Sequence, residues 1–154
     1  MNEVMSVLAQ VKTLAKRYRH LTGKPLGVTG EVAEYEAAQI LGLELAPART
    51  AGYDAIENIN GKMRRIQIKG RCILPDAKPG QRLGSIDVKK EFDSVLLVIL
   101  DGNLDAVEMI EAKREAVLAA LSAPGSKSRN ERGALGVPKF RSIGTVRWRK
   151  DVAA

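Results

Sequence analysis

The spacing of apolar and polar positions changes period several times along the chain, and each change predicts an element. Val4, Val7, Leu8, Val11, Leu14, Ala15 and Tyr18 recur at three- and four-residue intervals, with Lys12, Lys16, Arg17 and Arg19 on the other sides, which predicts an amphipathic helix. Thr22-Gly23-Lys24-Pro25 ends it. A second helix is expected from Gly30 to about Leu41, with Thr29 as N-cap and Glu31 at the positive end of the dipole. At 100° per residue its apolar stripe comprises Ala33, Ala37, Ala38, Ile40 and Leu41. Glu34 falls inside that stripe, Glu31 at its edge and Glu36 well outside. A carboxylate aimed at a core is costly unless it meets a cation or metal, so Glu34 is singled out as a ligand candidate, with Glu31 the alternative.

The period then falls to two. Leu43 to Ala46 predicts a short first strand closed by Pro47, followed by a loop carrying Arg49 as far as Gly52. Tyr53 to Arg71 predicts a hairpin, because Asn60-Gly61 supplies the two positive-φ residues of a tight turn between strand-like runs. A two-residue turn sets Glu57 opposite Arg64, Ala55 opposite Ile66 and Asp54 opposite Gln67. Alternation puts Gln67 and Lys69 on the Asp54 side, and Ile66 and Ile68 with Tyr53 and Ala55 on the more apolar one. Residues 74–84, rich in Pro, Gly, Asp and Lys, read as a loop long enough to be a lid or a substrate-facing arm. Phe92 to Leu100 is a nearly unbroken apolar run, as in a strand covered on both faces. Asp101-Gly102-Asn103 turns the chain into an antiparallel partner, Asp105 to Ile110. Glu111 to Leu121 then reads as a helix, and Thr145 to Arg149 as a final strand. This order predicts an α/β fold, a mixed central sheet flanked by helices, in a single domain.

Composition narrows the class. The chain has 154 residues, 45% hydrophobic and 28% charged, enough for one ordinary core, and no apolar run approaches the roughly 20 residues that span a bilayer. Met1-Asn2-Glu3 lacks the basic start of a signal peptide, so the expected compartment is the cytoplasm and no membrane partner is expected. Cys72 is the one cysteine and His20 the one histidine, read as a core or edge residue and a helix C-terminal charge respectively. The net charge of +7 favours a polyanionic partner. Between Lys127 and Lys150 stand three lysines and five arginines against Glu131 alone, with Phe140 and Trp148 interleaved as candidate stacking or core residues. Lys139, Arg141, Arg147 and Arg149, together with Arg49 and Arg71 near the hairpin, are therefore the candidate nucleic-acid contacts.

The chemistry is carried by Asp54, Gln67 and Lys69. An acid and an amide oxygen can hold Mg²⁺ or Mn²⁺, and a lysine beside them can polarise a water and offset charge building on a phosphate. These residues resemble the PD-(D/E)xK, or restriction-endonuclease-like, nuclease superfamily, whose motif is an acid at the start of one strand and an acid, any residue and a lysine on the next. Here Asp54 matches the first acid and Gln67-Ile68-Lys69 the triplet. The residue before Asp54 is Tyr53 rather than Pro, and Gln67 replaces the second acid. Gln-x-Lys forms occur in the superfamily, and the string GYDA…IQIKGR is similar to a family of uncharacterised bacterial proteins with the same nuclease-like core. The resemblance runs from Gly30 to Leu121. It implies a restriction-endonuclease-like fold, Glu34 as the helix acid that superfamily members commonly carry, and metal ligation by Asp54, Gln67 and Glu34. Three functions follow: a Mg²⁺-dependent endonuclease on DNA, a homodimer if it cuts double-stranded DNA; a DNA-binding module on the same fold without catalysis; or a toxin, antitoxin or immunity-type partner of an acidic protein.

Overall fold

A computed structural model describes residues 2–124 and 133–151. The chain opens with α1 (Asn2–Thr22) and α2 (Thr29–Leu41), passes through β1 (Glu44–Leu45) and enters the hairpin of β2 (Ala55–Ile59) and β3 (Lys62–Cys72). Asn60 and Gly61 have φ of 52° and 80°, the left-handed pair that a two-residue turn needs, and β2 and β3 pair in the register expected, with Glu57 opposite Arg64 and Ala55 opposite Ile66. The fully buried β4 (Ser94–Leu100) follows, then β5 (Ala106–Lys113), α3 (Arg114–Ser122), α4 (Val137–Ile143) and β6 (Thr145–Arg149).

The fold is α/β. Among the described residues, six strands form one mixed sheet in sequence order, flanked by four helices, and only β3 and β4 run parallel. A parallel pair cannot be closed by a tight turn, which accounts for the long connection 73–93 between them. One face of the sheet carries Ala55, Ile66, Ile68, Leu96, Val98 and Met109, packed under Val32, Ala33, Ala37 and Ala38 of α2 and Leu8 and Ala15 of α1. The other carries Val95, Leu97, Ile99 and Ile110 against Val117 and Ala120 of α3 and Phe140 of α4. α2 lies close on β3: a Cβ built on Gly70 would sit 2.6 Å from Ala33 Cβ and 3.2 Å from the Thr29 carbonyl oxygen.

Several expectations are corrected. Val28, not Thr29, stands at the N-cap of α2, and no side chain caps it. Leu43 to Ala46 contributes only a two-residue edge strand. Glu111, expected to open a helix, lies inside β5, because its carboxylate is drawn to Ser94 Oγ and to arginines across the sheet, and α3 begins three residues later. Tyr53 packs against the α3 side and not with Ala55, because a bend at Gly52 (φ 92°) puts it ahead of β2, where strand alternation does not hold. Residues 74–84 are not a free lid along their whole length. Leu83 and Ile86 are buried, and backbone bonds Leu83 N to Leu135 O (2.9 Å), Ile86 N to Gly133 O (2.9 Å) and Val137 N to Gln81 O (2.9 Å) fix this part of the strap. Lys12, placed with the lysines and arginines on the polar sides of α1, instead pairs across the fold with Glu36 of α2 and, at 2.7 Å, with Asp105. α4 was not expected, although Gly136 before Val137-Pro138 is a legible start for a short helix.

Candidate active site

β3 runs on past the end of β2. Beyond Ile66 it has no strand partner on that edge, and the loop before β2 folds against it. Asp54 closes the ladder: its N–H donates to Ile66 O at 2.9 Å, and its carboxylate Oδ2 accepts the Ile68 N–H at 2.7 Å. A side chain thus takes the place of the missing strand and is pinned by it. Gln67, buried on the same strand, donates from Nε2 to Gly52 O at 3.1 Å, which fixes which way its amide points. Its Oε1 is buried and has no hydrogen-bond partner among the described residues. An acceptor left so costs about 1–3 kcal/mol, and a water or cation is the usual remedy.

Lys69 is half-buried, and its ammonium donates to Ser85 O at 2.8 Å where the strap crosses the sheet. Burial lowers its pKa, the Asp54 carboxylate opposes that, and Arg71 adds to the lowering. Glu34 arrives from α2. Burial first, then the charges of Asp54 and Glu31, push its carboxyl up to about 7. Asp54, on the loop before β2, therefore acts electrostatically on both Glu34 of α2 and Lys69 of β3. Glu31 is exposed and acts on Glu34 as a further negative charge. Among the described residues no group of three or more His, Cys, Asp and Glu side chains is arranged to hold a metal ion. The donor set at this edge is two carboxylates and an amide oxygen, and the orphaned Oε1 of Gln67 is the feature that fits a small hard cation.

The basic candidates divide. Arg71, two residues beyond Lys69, donates from Nε to Arg82 O and lines a cavity of about 150 Å³ with Lys16, Arg19, Thr29 and Cys72. Three cations there face the start of α2, whose N–H groups favour anions. Arg49 is exposed on the loop before Asp54 with φ 67°, an uncommon backbone state for arginine. Arg147 is different. Its guanidinium bridges Glu57 (2.7 Å) and Glu111 (2.9 Å), which Arg64 also bridges (2.6 and 3.0 Å). Burial works against the charged form of Glu57, yet bonds from Arg147 and Arg64 hold its carboxyl below the usual range. Arg141 (2.7 Å) and Arg149 (2.6 Å) share Glu108. Arg147 is thus largely covered by its ion pairs, Arg141 and Arg149 are paired but exposed, and Lys139 stands on the exposed side of α4. Phe140 is a core residue and Trp148 packs half-buried on the α2 side. Lys127, Arg129, Glu131 and Arg132 lie outside the described residues. Cys72 closes β3 as an edge residue, donating to Asp101 O at 3.3 Å. Among the described residues no helix is long and apolar enough to cross a membrane.

The acid network of Glu57, Glu108 and Glu111 was not foreseen. Its signal was available for the first of these, since the hairpin register already set Glu57 against Arg64. No protein-family model matches the chain, and no curated protein matches it.

Proposed function

We propose that this chain is a divalent-metal-dependent nuclease that hydrolyses phosphodiester bonds of DNA, acting in the cytoplasm, with its α/β fold a restriction-endonuclease-like core in the Gln-x-Lys form. The observation that carries the reading is the placement of Asp54 on the open edge of β3, where its carboxylate accepts the Ile68 N–H at 2.7 Å and acts on both Glu34 and Lys69. A half-buried carboxyl raised to about 7, as that of Glu34 is, with a lysine close to the neighbouring Asp54, is the kind of environment in which catalytic groups are found. The unpartnered Oε1 of Gln67 supports the same reading.

Asp54, Gln67 and Glu34 would hold Mg²⁺ or Mn²⁺, which when bound supplies Lewis-acid stabilisation of phosphate charge and a water of lowered pKa. Asp54 is preset for this by the Ile68 N–H. Glu34, whose carboxyl is raised to about 7 by burial and by Asp54 and Glu31, would gain most from a cation that offsets this crowding of negative charge. Lys69, fixed at its tip by Ser85, is positioned to balance the charge that grows on the phosphate. Arg71 and the basic cavity beside it would take a neighbouring phosphate of the strand, and Arg49 another.

The test is incubation with supercoiled plasmid in Mg²⁺, Mn²⁺ or EDTA, alongside a gel shift. Metal-dependent nicking that Lys69→Ala removes is expected. Binding without cleavage in any metal would instead support a DNA-binding module, a reading favoured by the neutral Gln67 and by the Lys69 tip being engaged by Ser85. Neither cleavage nor binding would leave an acidic protein partner as the remaining reading.

A further inference from the structure

α1 has a second apolar surface that the fold does not use. It lies on the domain through Met5, Leu8, Lys12, Ala15 and Arg19, of which Leu8 and Ala15 are buried and Lys12 is ion-paired. One step round the helix, Val4, Val7, Val11, Leu14, Tyr18 and Leu21 follow at intervals of three, four, three, four and three. Val4, Val7, Leu14, Tyr18 and Leu21 are 36, 52, 57, 39 and 72% exposed, and they supply five of the nine exposed large hydrophobic residues given for the described chain. A strict alternation of three and four is a 3.5-residue repeat. It is the seam a helix offers to another helix lying nearly along it, and it is narrower than the broad stripe of a helix lying on a membrane.

We propose that α1 pairs antiparallel with α1 of a second copy of this chain. Charge sets the direction. Glu3 lies at one end of the helix and Lys16, Arg17, Arg19, His20 and Lys24 at the other. Parallel packing would bring the two basic ends together, whereas antiparallel packing sets each beside the acidic end of the other. With residue numbers summing to 25, Val4 meets Leu21 of the partner subunit, Val7 meets Tyr18 of the partner subunit and Val11 meets Leu14 of the partner subunit. Each contact then occurs twice, as a two-fold axis requires. Beside Val4 there is a shallow recess lined by Tyr35, Leu43 and Leu45, placed to receive the partner's Leu21, the most exposed of the set. Six side chains per copy make a contact at the small end of the range for specific interfaces, so dissociation at roughly micromolar concentration is expected. The proposal does not depend on the catalytic reading.

Sedimentation or light scattering of the full chain should give twice the chain mass at about 100 µM, falling to the monomer mass on dilution. Val7→Glu and Leu14→Glu change side chains exposed in the single chain, so both should keep the wild-type melting curve and be monomeric throughout. In a Cys72→Ser background, the double variant Val7→Cys/Tyr18→Cys should cross-link on mild oxidation, and neither single variant should. Three results would overturn the proposal: a wild-type monomer at that concentration, including one that binds anionic vesicles through the seam; a dimer that survives Leu14→Glu; or self-linking of Val7→Cys alone, which would make the pair parallel.

Discussion

Replacing Glu34 by Gln should make the protein more stable at alkaline pH and leave it unchanged in acid. Folding raises the pKa of this carboxyl from 4.5 to about 7. Between those values the folded chain holds a proton that the unfolded chain has released. Stability therefore falls as pH rises through that window, and stays at its lower level above 7. At 1.36 kcal/mol per pKa unit the full cost would be about 3 kcal/mol. Glu34 is only half-buried, and solvent screening brings the expected figure to about 1–2 kcal/mol. Glutamine keeps the shape and removes the charge that Asp54 and Glu31 oppose. Urea unfolding of both proteins in EDTA, at pH 4 and pH 8.5, measures this directly. The variant should match wild type at pH 4 and exceed it by that amount at pH 8.5, or by about 2–8 °C in Tm. Equal stability at both pH values, or a variant weaker at pH 8.5, would show that neither burial nor the charges of Asp54 and Glu31 oppose ionisation of Glu34.

Lys69→Ala should reduce plasmid nicking at least 100-fold with little change in melting temperature or gel-shift affinity, because it removes charge stabilisation from the transition state and little packing. Gln67→Glu adds the charge that the usual motif carries and should tighten Mg²⁺ binding in calorimetry or raise Mg²⁺-supported cleavage. No gain in either would favour the catalytically silent module. Arg147→Ala should destabilise the fold by about 3 kcal/mol in urea unfolding, because it leaves Glu57 and Glu111 buried with only Arg64 between them. An Arg147→Ala variant of wild-type stability but weakened, less salt-sensitive DNA binding would return this residue to the nucleic-acid surface.

The hairpin was legible from Ala55 to Ile66 because Asn60-Gly61 fixes both the turn and the register, whereas Asp54 lies just ahead of the paired strand and is held by Ile66 O and the Ile68 N–H. β4 and β6 were legible for a related reason: an apolar run flanked by turn residues and a short Thr-Val-Arg-Trp-Arg segment both fit strands and little else. Long-range charge was harder. Glu111 carries good helix propensity, but three residues distant in sequence, Ser94, Arg64 and Arg147, hold it in a strand. Composition likewise could not show the partners of the basic C-terminal segment, where the sheet brings Glu57, Glu108 and Glu111 to meet Arg141, Arg147 and Arg149. Glu34 was found by its position within an apolar stripe. Its neighbour Asp54 is 20 residues on, and only the folded chain shows that the two interact.

Gly70 gives the site a gauge made of an absent atom. Where α2 crosses β3, an added Cβ would stand 2.6 Å from Ala33, well inside ordinary contact. The helix would have to lift by roughly 1 Å, and Glu34, one residue further along it, would lift as well. Displacements of that size at a reacting centre cost on the order of 100-fold in rate, while the packing loss can be small. The separation between Glu34 on α2 and the strand that carries Gln67 and Lys69 is therefore written into a residue with no side chain, one that would pass unnoticed in any inventory of charged groups.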